Sequence, residues 1–205
     1  MHPVLAYTLL GYLSGSLLFA RLLIPLFRPG SSPEQSPDGN PGAANAFRLG
    51  GPLCGALTLT GDILKGFLPV FLFMHRFGPE TAPLLCAPVI AAPVAGHTFP
   101  VFRHFRGGKG IAVTFGCLLG LMPNLMPFLL FAGSFILFST VIVITPHFQR
   151  TLAAYALTLG LLLCGEQPAG IAGGFLLIAV LTSIRFHKSP EIRETMAVRL
   201  FRRAS

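Results

Sequence analysis

Apolar residues run through this chain in long blocks, broken by short polar interruptions. The blocks fall at residues 3–27, 52–74, 82–96, 111–122, 125–145, 151–164 and 169–184. Each is expected to be a helix crossing a membrane, although several fall short of the ~20 residues a span usually needs. Residues 111–145 taken as one helix would be about 52 Å long at 1.5 Å per residue, against about 30 Å of hydrocarbon. The "MPNLMP" stretch at 122–127 is therefore expected to turn the chain, giving two passes. The pattern predicts an all-α, polytopic bundle of about seven transmembrane helices over residues 1–186, followed by a basic cytoplasmic tail at 187–205.

Composition sharpens this reading. Of 205 residues, 53% are hydrophobic and 11% charged, where a soluble domain carries about a quarter charged. The mean hydropathy is +0.71. The first block is too long for a cleavable signal peptide and lacks a basic leader or an Ala-x-Ala site, so it reads as the first span. Cys54, Cys86, Cys117 and Cys164 lie in or beside apolar blocks and form no Cys-x-x-Cys pair. They read as small hydrophobic side chains.

The net charge of +8 matters through its placement. With seven spans and a cytoplasmic C-terminus, the inner segments hold Arg28, Arg48, Arg103, Arg106, Lys109, Arg150, Arg185, Lys188, Arg193, Arg199, Arg202 and Arg203. The outer side holds only Arg76, while Arg21 and Lys65 fall within spans. That skew is what the positive-inside rule expects, and it puts the N-terminus outside. Without the fourth span, Arg150 would move to the outer side. The charges sit in loops with no nucleic-acid-binding motif, which argues against a nucleic-acid partner. No internal repeat supports a transporter built on inverted halves.

Two longer loops share the inner face. "GGKGIAV" at 107–113 places glycines before a helix, so that backbone N–H groups, the helix's positive end and Lys109 can converge on an anion. It is not a Walker A loop, and a basic loop gripping lipid headgroups is the plainer alternative. "DGNPGAANAFRLGG" at 38–51 offers Gly39, Pro41 and Gly42 for a turn, Asn40 and Asn45 as amide partners, and Arg48 as a planar fork suited to phosphate. In "GDILKG", Asp62 and Lys65 share a helix face and can pair within the membrane. Arg21 is expected to reach the membrane boundary. His97 opens the second loop, where a histidine can donate to phosphate or move a proton; His104 reads as a solvated neighbour. His75 and Glu80 echo an acyltransferase His-x4-Asp pair but carry Glu and fall on the outer side. No activated nucleophile is evident.

With these stretches in view, the chain resembles the bacterial membrane family of acyl-phosphate:glycerol-3-phosphate acyltransferases (the PlsY family). The resemblance rests on "YLSGSLLFARL", "GNPGAANAFRLGG", "TGDILKGFLPV" and "GHTFPVFRHFRGGKGIA", which cover most of residues 12–116. It implies seven spans in the inner (plasma) membrane and an active site facing the cytoplasm. It also implies transfer of a fatty acyl group from acyl-phosphate to the sn-1 hydroxyl of glycerol 3-phosphate, giving lysophosphatidic acid. Carried over by position, Arg48 and Lys109 would hold phosphate beside His97. Asn40, Asn45, Gly39, Gly42, Gly107, Gly108 and Gly110 would shape the pocket. No covalent acyl-enzyme, cofactor or metal is implied; membrane lipid is an expected partner, and no protein partner can be inferred.

The chain also departs from the family. Asp38 stands where the family has a serine expected to touch substrate phosphate, and Ala44 replaces a threonine. Ser32–Glu34 replaces "DIR", and "RFHKSPEIR" at 185–193 lacks an expected asparagine. Asp38 is expected to turn away, be protonated, or act as a general base for the attacking hydroxyl. The alternatives are a catalytically weakened paralogue that binds acyl-phosphate or lipid, an enzyme for a different acceptor, and a small transporter.

Overall fold

The computed structural model describes residues 3–78, 85–187 and 195–200. Glu80, Lys188, Arg193, Arg202 and Arg203, together with most of the basic tail, lie outside the described residues. Each of the seven apolar blocks contains a helix. The first is broken into α1 (Pro3–Gly15) and α2 (Phe19–Phe27), and α3 runs over Ala43–Phe77. The rest are α4 (Cys86–Thr98), α5 (Ile111–Leu119), α6 (Met126–Ile136), α7 (His147–Cys164) and α8 (Ala169–His187). Among the described residues, three segments are long and apolar enough to cross a membrane: Pro3–Phe27, Ala43–Phe77 and Ala169–His187.

The element ends differ from the sequence expectation in instructive places. Helix α3 begins nine residues before Pro52, and the first loop is correspondingly shorter. Gly51, at φ 86°, kinks α3 just before Pro52, where a proline at the start of a helix would put its beginning. The chain turns between α5 and α6, as the two prolines of "MPNLMP" suggest. The fifth block does not stay helical: α6 passes through a π-helical segment at Leu137–Val141 into a strand, β1 (Ile142–Thr145). This strand pairs antiparallel with β2 (Ala197–Leu200), with Ile142 opposite Leu200 and Thr145 opposite Ala197.

Helix α4 is the axis of the bundle. Its residues are small or β-branched and nearly all are buried, including Val89, Ile90 and Val94, which packs it against α1, α5 and α8. Close approach requires missing side chains. A Cβ on Gly15 would lie 2.1 Å from the Pro93 carbonyl oxygen, and one on Gly96 would lie 2.1 Å from that of Tyr12. Helices α3 and α5 meet the same way, through Gly116 against the Ile63 backbone. Phe131, Tyr155 and Phe175 fill the space between α6, α7 and α8. Two pairs of buried hydroxyls bridge helices, Thr114 with Tyr155 at 2.8 Å and Thr158 with Ser134 at 3.0 Å. Leucines such as Leu9, Leu68 and Leu177 point outward, as suits a lipid-facing surface. This packing gathers the first turn of α3, the last turn of α4 and the first turn of α5 around one cavity.

Candidate active site

The first loop folds around a carboxylate. Gly39, at φ 58°, makes the turn, and Asp38 Oδ1 accepts the Asn40 backbone N–H at 3.2 Å. Asn45 Nδ2 donates to Asp38 Oδ1 at 2.7 Å and to the Asn40 carbonyl at 2.8 Å, tying the loop to α3. Ser36 Oγ lies 3.3 Å from the same carboxylate oxygen. A Cβ on Gly42 would lie 2.8 Å from the Asn40 amide nitrogen, so a larger residue there would have to displace the Asn40 side chain.

The second loop is pinned from both sides. Gly108 N–H donates to the His97 carbonyl at 2.9 Å. Arg185 donates from Nε and Nη2 to the Gly107 carbonyl at 2.9 and 2.7 Å. Gly110, at φ 79°, starts α5. Lys109 then reaches across to Asp38 Oδ2 at 2.9 Å and lies 5.2 Å from the centre of the Phe186 ring. The two loops, 71 residues apart, close on each other through this pair.

Beneath them, Asp62 and Lys65 form the expected ion pair at 2.8 Å, fully inside the protein. The Lys65 ammonium also donates to the Leu17 carbonyl, freed where α1 gives way to α2, and sits 2.8 Å from His97 Nδ1. Arg21 pairs with Glu34 of the first loop, away from this group.

A cavity of about 770 Å³ connects these features. Asp38, Asn40, Gly42, Asn45, Arg48, His97, Lys109 and Gly110 line its polar end, so most of the residues read from the sequence converge. Gly39, Gly107 and Gly108 do not line it; they shape the turns behind it. Leu59, Ile111, Ala112, Phe115 and Phe135 make the other side apolar. Arg48 makes no ion pair among the described residues. The N-termini of α3 and α5 add their positive ends to Arg48 and Lys109. Asp62, His147 and Arg185 were missed as site residues. Asp62 lines the cavity besides pairing with Lys65, and His147 enters from α7. Arg185 has a signal, as the first cation after the last apolar block and the opening residue of the altered 185–193 stretch, which marks orientation and motif but not its grip on the Gly107 carbonyl.

Asp38 does not turn away and is not protonated near neutral pH. Burial alone would raise its carboxyl, but hydrogen bonds from Lys109 and Asn45, the Lys109 charge and the Asn40 amide outweigh it and hold it at about 2. A carboxyl depressed from 3.8 contributes stability that is complete above that value and is lost as pH falls through about 2. Thermal midpoints of purified protein should therefore fall as pH drops from about 4 to about 2, and Asp38→Asn should remove that component.

The geometry is a helical bundle whose cavity is polar and cation-bearing at one end and apolar, with Phe115 and Phe135, at the other. Known proteins agree. The profile of the glycerol-3-phosphate acyltransferase family matches residues 5–196. The chain is 41% identical over 181 residues to the glycerol-3-phosphate acyltransferase of Pseudomonas paraeruginosa, covering 86% of each. It is 45% identical over 116 residues to that of Azotobacter vinelandii, a match covering 56% of this chain and 59% of that relative's length. The crystal structure of PlsY, an integral membrane glycerol 3-phosphate acyltransferase, in its glycerol 3-phosphate form superposes with a TM-score of 0.74 at 28% identity, covering 90% of this chain and 88% of that one. Its lysophosphatidic acid form gives 0.71 at 27%, with the same coverage. This chain belongs to the glycerol-3-phosphate acyltransferase family.

Proposed function

We propose that the protein transfers an acyl group from acyl-phosphate to the sn-1 hydroxyl of glycerol 3-phosphate, forming lysophosphatidic acid in phospholipid synthesis. In this reading seven spans cross the bacterial inner membrane, with the N-terminus outside and the cavity open to the cytoplasm. One observation carries it: a single cavity joins Arg48, Lys109 and two helix N-termini to an apolar wall ending in Phe115 and Phe135. Phosphate binds at the cations, and the acyl chain lies along the aromatics.

The hydroxyl oxygen attacks the acyl carbon, the bond from that carbon to the phosphate oxygen breaks, and phosphate leaves with the electron pair. No serine, threonine or cysteine lines the cavity among the described residues, which favours direct transfer over an acyl-enzyme. The departing phosphate can take the hydroxyl proton. Asp38 is a poor general base, since a group held at about 2 has little proton affinity near pH 7. Positioning and charge neutralisation supply the catalysis.

Asp38 has another effect. Its carboxylate already holds Lys109, so a substrate phosphate must compete for that cation. Asp38→Asn keeps an acceptor for Asn45 and the Asn40 N–H while removing the charge. It should lower KM for glycerol 3-phosphate about tenfold, equivalent to ~1.4 kcal/mol, in steady-state assays.

The test is product formation by detergent-purified protein given palmitoyl-phosphate and labelled glycerol 3-phosphate. Lysophosphatidic acid from wild type, absent with Lys109→Ala, supports the reading. The Asp38–Lys109 contact also favours a second one, a weakened paralogue; product from Asp38→Asn but none from wild type would select it. Silence from all folded variants would overturn the acyltransfer reading.

A further inference from the structure

We infer that Lys65 is a positioning residue that locks His97 as a neutral hydrogen-bond donor, with its proton on Nε2. The Lys65 ammonium is committed on three sides: Asp62 Oδ1 at 2.8 Å, the Leu17 carbonyl, and His97 Nδ1 at 2.8 Å. An ammonium donates and cannot accept, so the imidazole nitrogen facing it must supply a lone pair. That leaves the proton on Nε2. His97 Nε2 has no hydrogen-bond partner among the described residues, and the side chain lines the cavity. Its other boundary is fixed too, because a Cβ on Gly108 would lie 2.2 Å from Nε2. The glycine loop lies directly against the imidazole edge, and the ring lines the cavity beside it.

A second proton on this ring would have to sit on Nδ1, against an ammonium. The charged groups around His97 are Asp62 and Lys65 from α3 and Arg185 from α8. The one carboxylate among them lies 3.8 Å from His97 Nδ1 and is already engaged by Lys65. Imidazolium is therefore disfavoured by position. His97 donates from Nε2 to whatever oxygen occupies the cavity, a phosphoryl or a developing acyl oxyanion, and does not carry a proton between substrates. The buried Asp62–Lys65 pair thus has a directional role, beyond holding two helices together.

The inference builds on the acyltransfer reading only for the identity of that oxygen. Nitrogen-15 NMR of histidine-labelled protein in micelles, with His97→Gln used to assign the signal, tests it without any assay. An unprotonated Nδ1 and a protonated Nε2, unchanged between roughly pH 5 and 8, are expected in wild type. Lys65→Met should release the lock, giving mixed tautomers or a titration inside that window. A wild-type Nδ1–H tautomer, or wild-type titration in that window, overturns the proposal even if Lys65→Met does not fold. In the activity assay, glutamine at 97 presents an amide donor near the Nε2 position. His97→Gln should keep kcat within about tenfold, whereas His97→Ala should lose about a hundredfold. Equal loss in both, with the pH–rate profile flattened, would mean a proton carrier and also overturn it.

Discussion

Lys109→Ala is expected to cut kcat/KM for glycerol 3-phosphate by about 10²–10³-fold, the usual loss when a preorganised charge partner of the transition state is removed. Two effects add. The cation at the start of α5 disappears, and Asp38, now without its partner, turns a full negative charge toward the incoming phosphate. Arg48 and the helix N-termini remain, so residual turnover should survive. Lys109→Ala combined with Asp38→Asn should recover part of the loss, which would separate repulsion from missing attraction. The bundle itself should stay folded, because Lys109 pairs with the first loop and lies over Phe186 at the end of α8, while the helix seams rest on apolar and glycine contacts elsewhere. Steady-state rates beside thermal midpoints check both halves.

The largest stability effect is expected at Gly96. A methyl group there would sit 2.1 Å from the Tyr12 carbonyl oxygen and 2.8 Å from the Ser16 nitrogen. Those are backbone atoms, so no side-chain rotation relieves the clash and α1 must move away from α4. Tyr12 also anchors α1 through its hydroxyl, which donates to the Phe99 carbonyl at 2.8 Å. Gly96→Ala should therefore cost about 3 kcal/mol, the upper end for overpacking, and Gly96→Leu should abolish the folded yield. Gly133 of α6 is the matched control, since nothing lies within 4 Å of a Cβ there. Gly133→Ala should be neutral or mildly stabilising, because alanine costs less backbone entropy in a helix. Thermal unfolding in one detergent would compare Gly96→Ala and Gly133→Ala with wild type, and the yield of folded protein would report on Gly96→Leu.

Much of this molecule was legible from the chain alone, because apolar blocks and glycine-framed charges are local signals. The seven blocks hold helices, "MPNLMP" turns, and Asp62 meets Lys65 because three residues separate them on a helix. Arg48, His97, Lys109 and the two asparagines converge because both loops end at the same side of the bundle. What escaped depends on distant partners. The break between α1 and α2 needs Lys65, 48 residues away, to take up the Leu17 carbonyl. Strand β1 looked like the end of a span because Ile142 to Ile144 are apolar, and its partner lies more than 50 residues on. For Asp38 the chain leaves three roles open, turned away, protonated or a base, because the sequence shows its charge but not the lysine that holds it.

The interrupted first helix has a consequence for how such a chain can drift. Lys65 takes the Leu17 carbonyl, and in return the Ser14 hydroxyl donates to the Lys65 carbonyl at 3.0 Å. Neither side of that exchange can be exchanged alone: a continuous helix through residues 16–18 would withdraw an acceptor from a buried ammonium, and a shorter residue at 65 would leave the half-buried Leu17 carbonyl without its donor. Descendants of this sequence should keep or lose the break and the lysine together, and with them whatever orientation His97 is to have.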